Sequence, residues 1–380
     1  MKKGHPEGQR DGHRIVVRGS GCVALAAALA LGRRGWRVAV AAGAGFAREV
    51  AREDVRTYAL NAASVALLGS LKVWDALPVE ARTAVQDMRI EGDTGAVLSF
   101  SSWSQGADAL AWIVDARALE QALRDAVRFA PHVELVPADA PDGSLTVLAE
   151  GRQSEARERL GVVMDLHPYR QRGVAARLVS DEPHDGVARQ WFRSPDVLAL
   201  LPFDSPAPGH SHGLVWSLPD ARADELLAMP ADAFETELAA ATGTAAGTLR
   251  LASERASWPL VLGRAREVVG PGWVLLGDAA HLVHPLAGQG LNLGLADVAA
   301  LDEVLAGREP WRSPGDERLL RRYARRRAGP TQAMATMTDS LLHLFASEQP
   351  LVRELRNHGL TLVNNLPPLK RLLASRAADL

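Results

Sequence analysis

Arg14-Ile15-Val16-Val17 and Trp36-Arg37-Val38-Ala39-Val40 are short apolar runs that read as buried strands, and the Ala/Leu-rich residues between them, ending near Gly32, read as a helix. The turn that opens this helix is Gly19-Ser20-Gly21-Cys22-Val23-Ala24. Strand, Gly-x-Gly-x-x-Ala turn, helix and strand in that order make a βαβ unit of an α/β, Rossmann-like parallel sheet. Gly19 makes the tight turn, Gly21 admits a pyrophosphate to the backbone, and a small residue at Ala24 lets helix and strand pack closely. One part of the fingerprint is missing. An acid is expected about 20 residues on, at the end of the second strand, to hold ribose hydroxyls. Ala41 and Ala42 stand there, and the nearest acid is Glu49.

A second stretch runs Gly277-Asp278-Ala279-Ala280-His281-Leu282-Val283-His284-Pro285-Leu286-Ala287-Gly288-Gln289-Gly290-Leu291-Asn292. It follows a short apolar run, residues 273–276. It precedes Leu291, Leu295, Val298, Leu301, Val304 and Leu305 at helical spacing, so it reads as strand, loop, helix. Asp278 then sits at the carboxyl end of a strand, where open α/β sheets bind ligands. Gly288 and Gly290 put no Cβ between backbone and ligand. The free N–H groups of the helix start suit an electron-rich or anionic group. An isolated pair of glycines would read as a steric turn; an aspartate, a proline, two glycines and an asparagine in one ordered run point to a ligand.

The pattern Gly-Asp-x-x-His-x-x-x-Pro-x-x-Gly-x-Gly-x-Asn resembles the second flavin motif of the group A FAD-dependent aromatic hydroxylases. The wording from His284 to Val298 resembles the ubiquinone-biosynthesis hydroxylases in particular. The resemblance implies that Asp278 binds the ribityl chain of FAD. It also implies that Gly277, Gly288, Gly290, Leu291 and Asn292 belong to the cofactor site, with the helix start facing the pyrimidine edge of the flavin. His284 and Pro285 fall at the catalytic positions near the flavin's reactive face. The implied activity is hydroxylation of a phenolic, polyprenylated ring, with NAD(P)H reducing the flavin and O2 reacting through a flavin hydroperoxide. Such an enzyme needs no catalytic triad, because the cofactor supplies the hard chemistry while the protein positions it and excludes water. Implied partners are a small aromatic, lipid-tailed substrate and O2, with a peripheral inner-membrane contact and a complex with other ubiquinone-pathway proteins as further options.

Other segments carry the same resemblance. Arg56, ahead of Ser64 and residues 67–74, matches an arginine that approaches the cofactor, and it reads equally as a solvated arginine. Arg117, at a helix start after the strand 112–115, matches one that reaches the cofactor phosphates. An arginine there opposes the helix dipole, which a phosphate would explain, although a surface arginine fits too. Leu148-Ala149-Glu150-Gly151, followed by Ser154 and Arg157, resembles an Ala-Asp-Gly motif serving FAD and the nicotinamide, with Glu150 in place of aspartate. Arg18 and Cys22 are unusual for the family, and Pro131–Thr146 leaves room for one hairpin where relatives place several strands. Cys22 reads as a small buried residue. Residues 161–258 read as an antiparallel layer in which Trp191, Phe192 and Phe203 are sheet core or face the substrate, and Ser99–Gly106 as a loop bordering its pocket. His210 and His212 read as solvated. The arginines between Glu317 and Arg327 read as a solvated helix face or an anionic-membrane contact. Thr336–Leu373 resembles the family's C-terminal helices.

Composition narrows the alternatives. The net charge of -2 gives no general pull toward nucleic acid. The single cysteine excludes a disulfide framework and a cysteine-rich metal site, and no metal is expected. No apolar run approaches the roughly 20 residues of a membrane span, and Met1–His13 is polar, so the expected location is cytoplasmic. The expected division is a flexible tail (1–13), a discontinuous FAD-binding domain (14–60, 107–160, 262–308), a substrate domain (61–106, 161–261) and a helical C-terminal region (309–380). The rival reading is a flavin-poor or flavin-free paralogue acting as a scaffold, favoured by Ala41, Ala42, Glu150 and the short middle and opposed by the Asp278–Asn292 run.

Overall fold

The computed structural model describes residues 13–42, 46, 54–92, 97–283 and 289–346. In chain order they form β1 (Arg14–Arg18), α1 (Cys22–Arg33), β2 (Arg37–Ala41), β3 (Thr57–Leu60), α2 (Ala62–Ser70), β4 (Arg82–Val85), β5 (Asp87–Glu91), β6 (Val97–Ser101), β7 (Ala111–Asp115), α3 (Ala116–Phe129), β8 (Val133–Val136) and β9 (Leu145–Leu148). Then come α4 (Glu155–Arg159), β10 (Met164–Ser180), β11 (Val187–Arg193), β12 (Asp196–Phe203), β13 (Ser211–Pro219), α5 (Asp220–Ala228), α6 (Ala231–Thr242) and β14 (Leu249–Leu251). The last are β15 (Ala256–Ala265), β16 (Val269–Gly270), β17 (Trp273–Leu275), β18 (His281–Leu282), α7 (Gln289–Ala306) and α8 (Glu317–Ala346).

The first sheet has the order β16-β17-β9-β1-β2-β8 and is parallel except for β16. Ile15, Val17, Val38, Val40, Val147 and Val274 point to one face and pack on α1, α7 and α8 through Leu25, Leu295, Leu301 and Tyr323. The Rossmann-like reading of both ends of the chain is therefore what forms. The expected hairpin at Pro131–Thr146 is not. Leu145–Leu148 is fully buried and takes a central place between β1 and β17, whereas the more exposed Val133–Val136 pairs in parallel with β2 at the edge. Residues 137–144 cross between them as a connection without strand or helix.

The second sheet, β18-β15-β10-β13-β12-β11-β5-β6, is antiparallel apart from the β11–β5 pair. Alternation divides its faces. Val174, Leu178, Trp191, Leu198, Leu214 and Trp216 pack under α5 and α6 with Phe234 and Leu238. Gln190, Phe192, Ala199, Val215 and Ser217 fall on the opposite face, which approaches a third, three-stranded antiparallel sheet of order β3-β7-β4. There, Gly213 lies so close to Thr57 of β3 that a Cβ would sit 2.8 Å from its hydroxyl. Trp191 is thus core under the helices, and Phe203 is core with Ile113 on the other side.

One surface expectation changes, and the arginine cluster gains partners. His212 is not solvated: the strand starts at Ser211, so His212 takes an inward position beside Leu178 and is 1% exposed. Burial, reinforced by His184 and Arg189, pushes its pKa down to about 3. In α8, Arg321, Arg322, Arg326 and Arg327 pair with Glu317, Glu309, Glu303 and Asp297, so most of the arginine cluster is neutralised within the protein. The segment matching the family's C-terminal helices lies outside the described residues beyond Ala346.

Candidate functional site

β1, β9 and β17 are parallel neighbours, so Gly19, Glu150 and Gly277 leave the sheet at one carboxyl edge. Gly19 has φ +131°, and a Cβ there would lie 2.3 Å from the Ala149 carbonyl oxygen. Only glycine fits that turn. The turn makes Gly21 the N-cap of α1, with open space where its Cβ would be, no side-chain cap and no acid in the first turn. Among the described residues the first N–H groups of α1 have no side-chain cap, which leaves the positive end of the helix dipole for an anionic ligand. Ala24 is fully buried against this turn. Cys22 is buried as well; burial and nearby Glu120 push its thiol up to about 12, which keeps it protonated and inert.

The loop after β17 is tied to the same helix. Gly277 has φ +60° and rests on Val23, and Gly294 of α7 packs so closely that its Cβ would be 2.5 Å from a Val23 methyl. Asp297 of α7 fixes the loop's polar groups. Its Oδ2 accepts from the Gly277 N–H at 2.9 Å and from His281 Nε2 at 2.7 Å, and its Oδ1 accepts from Arg327 Nε at 2.6 Å. Burial would raise the Asp297 pKa, but His281, then Arg327 and the Gly277 N–H, hold it below the usual carboxylate range.

Asp278, carried on this loop, is different. Its carboxylate is solvent-accessible and accepts no hydrogen bond among the described residues. The surrounding protein raises its pKa, with His281 and Arg152 partly opposing. A carboxylate on a loop fastened at Gly277 and Ala279, with no partner among the described residues, is a ready acceptor for ligand hydroxyls.

Several expected site residues have other work. Glu150 Oε2 accepts from the Ser154 hydroxyl at 2.6 Å and the Ala156 N–H at 3.0 Å, so it caps α4. Arg157 then reaches the Ala279 carbonyl at 3.2 Å and braces the loop carrying Asp278. Gly151, at φ +80° with nothing near its Cβ position, stays open. Asn292, expected at the cofactor site, makes hydrogen bonds within the protein. Its Oδ1 accepts from the Ser64 hydroxyl at 2.8 Å and the Asn61 N–H at 3.2 Å, and its Nδ2 donates to Ala59 O at 2.8 Å. It fastens α7 to the β3–α2 turn. Leu291 packs against the core of the first sheet, while Gly290 has open space around it.

Arg56 forms a two-point ion pair with Asp54, at 2.9 and 2.5 Å, which raises its pKa. Arg117 lies exposed in the first turn of α3 and has no partner among the described residues, as a phosphate-seeking or solvated arginine would. His284, Pro285 and Gly288 lie outside the described residues. Asp297, His281 and Arg327 carry roles that were not read from the sequence, although His281 and Asp297 fall within the flavin motif and its continuation. An acid at position 297, in the stripe of Leu293, Val298 and Leu301, is a signal that could have found the first.

A family model described as FAD binding domain matches residues 142–338. The chain is 31% identical over 385 residues to ubiquinone hydroxylase UbiL of Rhodospirillum rubrum, spanning 96% of this chain and 89% of that one. It is 33% identical over 392 residues to 3-demethoxyubiquinol 3-hydroxylase of Escherichia coli, spanning 94% and 96%. The crystal structure of pqsL, a probable FAD-dependent monooxygenase from Pseudomonas aeruginosa, superimposes with a TM-score of 0.74 at 21% identity, over 92% of this chain and 99% of that one. That last likeness concerns the fold.

Proposed function

The chain belongs to the FAD-binding monooxygenase family that contains the ubiquinone-biosynthesis hydroxylases, and we propose that it uses FAD, NAD(P)H and O2 to hydroxylate the phenolic, polyprenylated ring of a ubiquinone precursor. Bound FAD would supply the redox and oxygen chemistry. The residues present fit it. The uncapped N-terminus of α1, reached past Gly21, suits a pyrophosphate. Asp278 suits a ribityl hydroxyl, and Gly290 opens the start of α7. Arg117, exposed and without a partner among the described residues, suits an anion. The face of the second sheet bearing Gln190, Phe192, Ala199, Val215 and Ser217 offers small and aromatic side chains to an apolar ring.

The observation that carries this reading is the Asp278 carboxylate, which accepts no hydrogen bond among the described residues, on a loop that Asp297, Arg157 and Val23 hold in place. A scaffold without flavin has no physical need for such an acceptor. The test is turnover with NAD(P)H, a short-tailed phenolic ubiquinone precursor and isotopically labelled O2. One labelled oxygen on the product ring supports the reading, and NAD(P)H oxidation without label in the ring opposes it.

Among the described residues no helix is long and apolar enough to cross a membrane. A peripheral membrane contact through α8 would rest on Arg318 and Arg325, the two arginines of the cluster without an acid partner among those residues. A complex with other proteins of the pathway would serve the same end, delivery of a lipid-tailed ring.

A further inference from the structure

Arg18 ends β1, immediately before Gly19, with Ala41 beside it in β2. Ile15 and Val17 face α1, so alternation places Arg18 on the other face with Val16, where Val16, Ala39, Ala41 and Val136 form only a small apolar cluster. The β8–β9 connection, residues 137–144, lies against this face at β1: a Cβ on Gly143 would fall 2.2 Å from Arg14 O and 3.2 Å from a Val16 methyl. Arg18 grips that connection. Its Nη1 donates to Ala138 O at 2.7 Å, its Nη2 to Ala140 O at 2.8 Å, and its Nη2 and Nε to Asp142 Oδ1 at 2.8 and 3.2 Å. The Arg18 side chain is 11% exposed, whereas Asp142 is 68% exposed. Two oddities of the sequence, a charged residue ending the first strand and a shortened crossover, are therefore one feature.

The position of this clamp matters. The connection leaves β8 at Val136, the register partner of Ala41. Ala41 and Ala42 stand where an acid would hold the ribose of a dinucleotide. We infer that Arg18 is a positioning residue for the adenosine half of FAD: by pinning residues 138–142 it fixes the wall beside Ala41 and Ala42, which occupy the position of the fingerprint's ribose-binding acid. The inference rests on the FAD reading above.

FMN lacks the adenosine half, so the ratio of FAD to FMN affinity isolates this end of the site. The experiment is flavin-fluorescence titration of the full-length apoprotein with FAD and with FMN, for the parent, Arg18→Met and Asp142→Asn. Arg18→Met keeps an unbranched apolar stem and loses the four hydrogen bonds. FAD affinity should fall by about tenfold or more while FMN affinity stays unchanged. Hydrogen exchange over residues 137–142 should quicken in the same variant. Asp142→Asn, on an exposed side chain, should shift the ratio the same way by less, and it decides the matter if Arg18→Met does not fold. Equal losses for FAD and FMN, or no change in the ratio, would overturn the inference while leaving the FAD reading intact. A parent chain that takes up no FAD would overturn both.

Discussion

Asp297 of α7 and His281 of β18 are joined by a 2.7 Å hydrogen bond between Oδ2 and Nε2, with both residues buried. The same carboxylate holds the Gly277 N–H and Arg327, so one acid joins the loop carrying Asp278 to α7 and α8. Asp297→Ala would leave His281 and Arg327 without their counter-charge. Breaking a buried ion pair from one side costs about 3–5 kcal/mol. Urea unfolding of parent and variant measures it, and a loss below about 1 kcal/mol, the scale of an exposed pair, would mean that the cluster does not hold the loop.

The same pair sets a pH dependence. Burial alone would lower the His281 pKa, but Asp297 more than offsets it and the net shift is upward. The stabilisation from His281 is thus fully present below its unfolded value near 6.5 and fades as pH rises through its higher folded value. Asp297 is shifted down, so its contribution is present above its unfolded value near 3.9 and fades as pH falls through its lower folded value. The stability gap between parent and His281→Gln should be widest between about pH 4 and 6.5 and should narrow above that range. A gap that stays constant into the alkaline range would show that His281 is not charged in the folded protein.

Asp278→Ala removes a carboxylate that no described residue uses. Stability of the apoprotein should therefore hold, while FAD affinity falls about 10- to 150-fold through loss of a charged hydrogen-bond acceptor worth about 1.5–3 kcal/mol. Titration at limiting flavin reads it; equal affinity in the two proteins would remove Asp278 from the site.

Ala42→Glu tests the missing acid. Restored hydrogen bonds to the ribose should tighten FAD by about 1–2 kcal/mol at most and leave FMN unaffected. Unchanged or weaker FAD binding by a folded variant would mean that the adenosine half does not lie beside Ala42.

Arg318→Gln with Arg325→Gln addresses the membrane. With the other four arginines of the cluster paired, at most about 1 kcal/mol per remaining arginine is available at an anionic surface, and salt screens it. Co-sedimentation with anionic liposomes should be weak, salt-sensitive and abolished in the double variant. No binding at low salt in the parent would leave α8 as a solvated face and assign substrate delivery to a partner protein.

Local patterns were legible in the sequence. β1, α1 and β2, and β17 with α7, follow from apolar periodicity and from glycines whose turns allow nothing else, as Gly19 against Ala149 shows. Pairings far apart in sequence were not. Arg18 finds Ala138, Ala140 and Asp142, and Asp297 finds Arg327, only after the sheet and helices assemble. Nor does residue type show which side chains also cap or staple the fold, as Glu150 does for α4 and Asn292 for the β3–α2 turn. His212 was misplaced because a histidine beside a Gly/Ser turn gives no sign that the strand begins one residue earlier.

The visible absorbance spectrum of the purified full-length protein, recorded after incubation with excess FAD and removal of the unbound cofactor, bears most directly on the reading as a flavin monooxygenase. A retained flavin band, shifted from that of free FAD by its protein surroundings and bleached by NAD(P)H, is the expected result. A colourless protein after that treatment would contradict it.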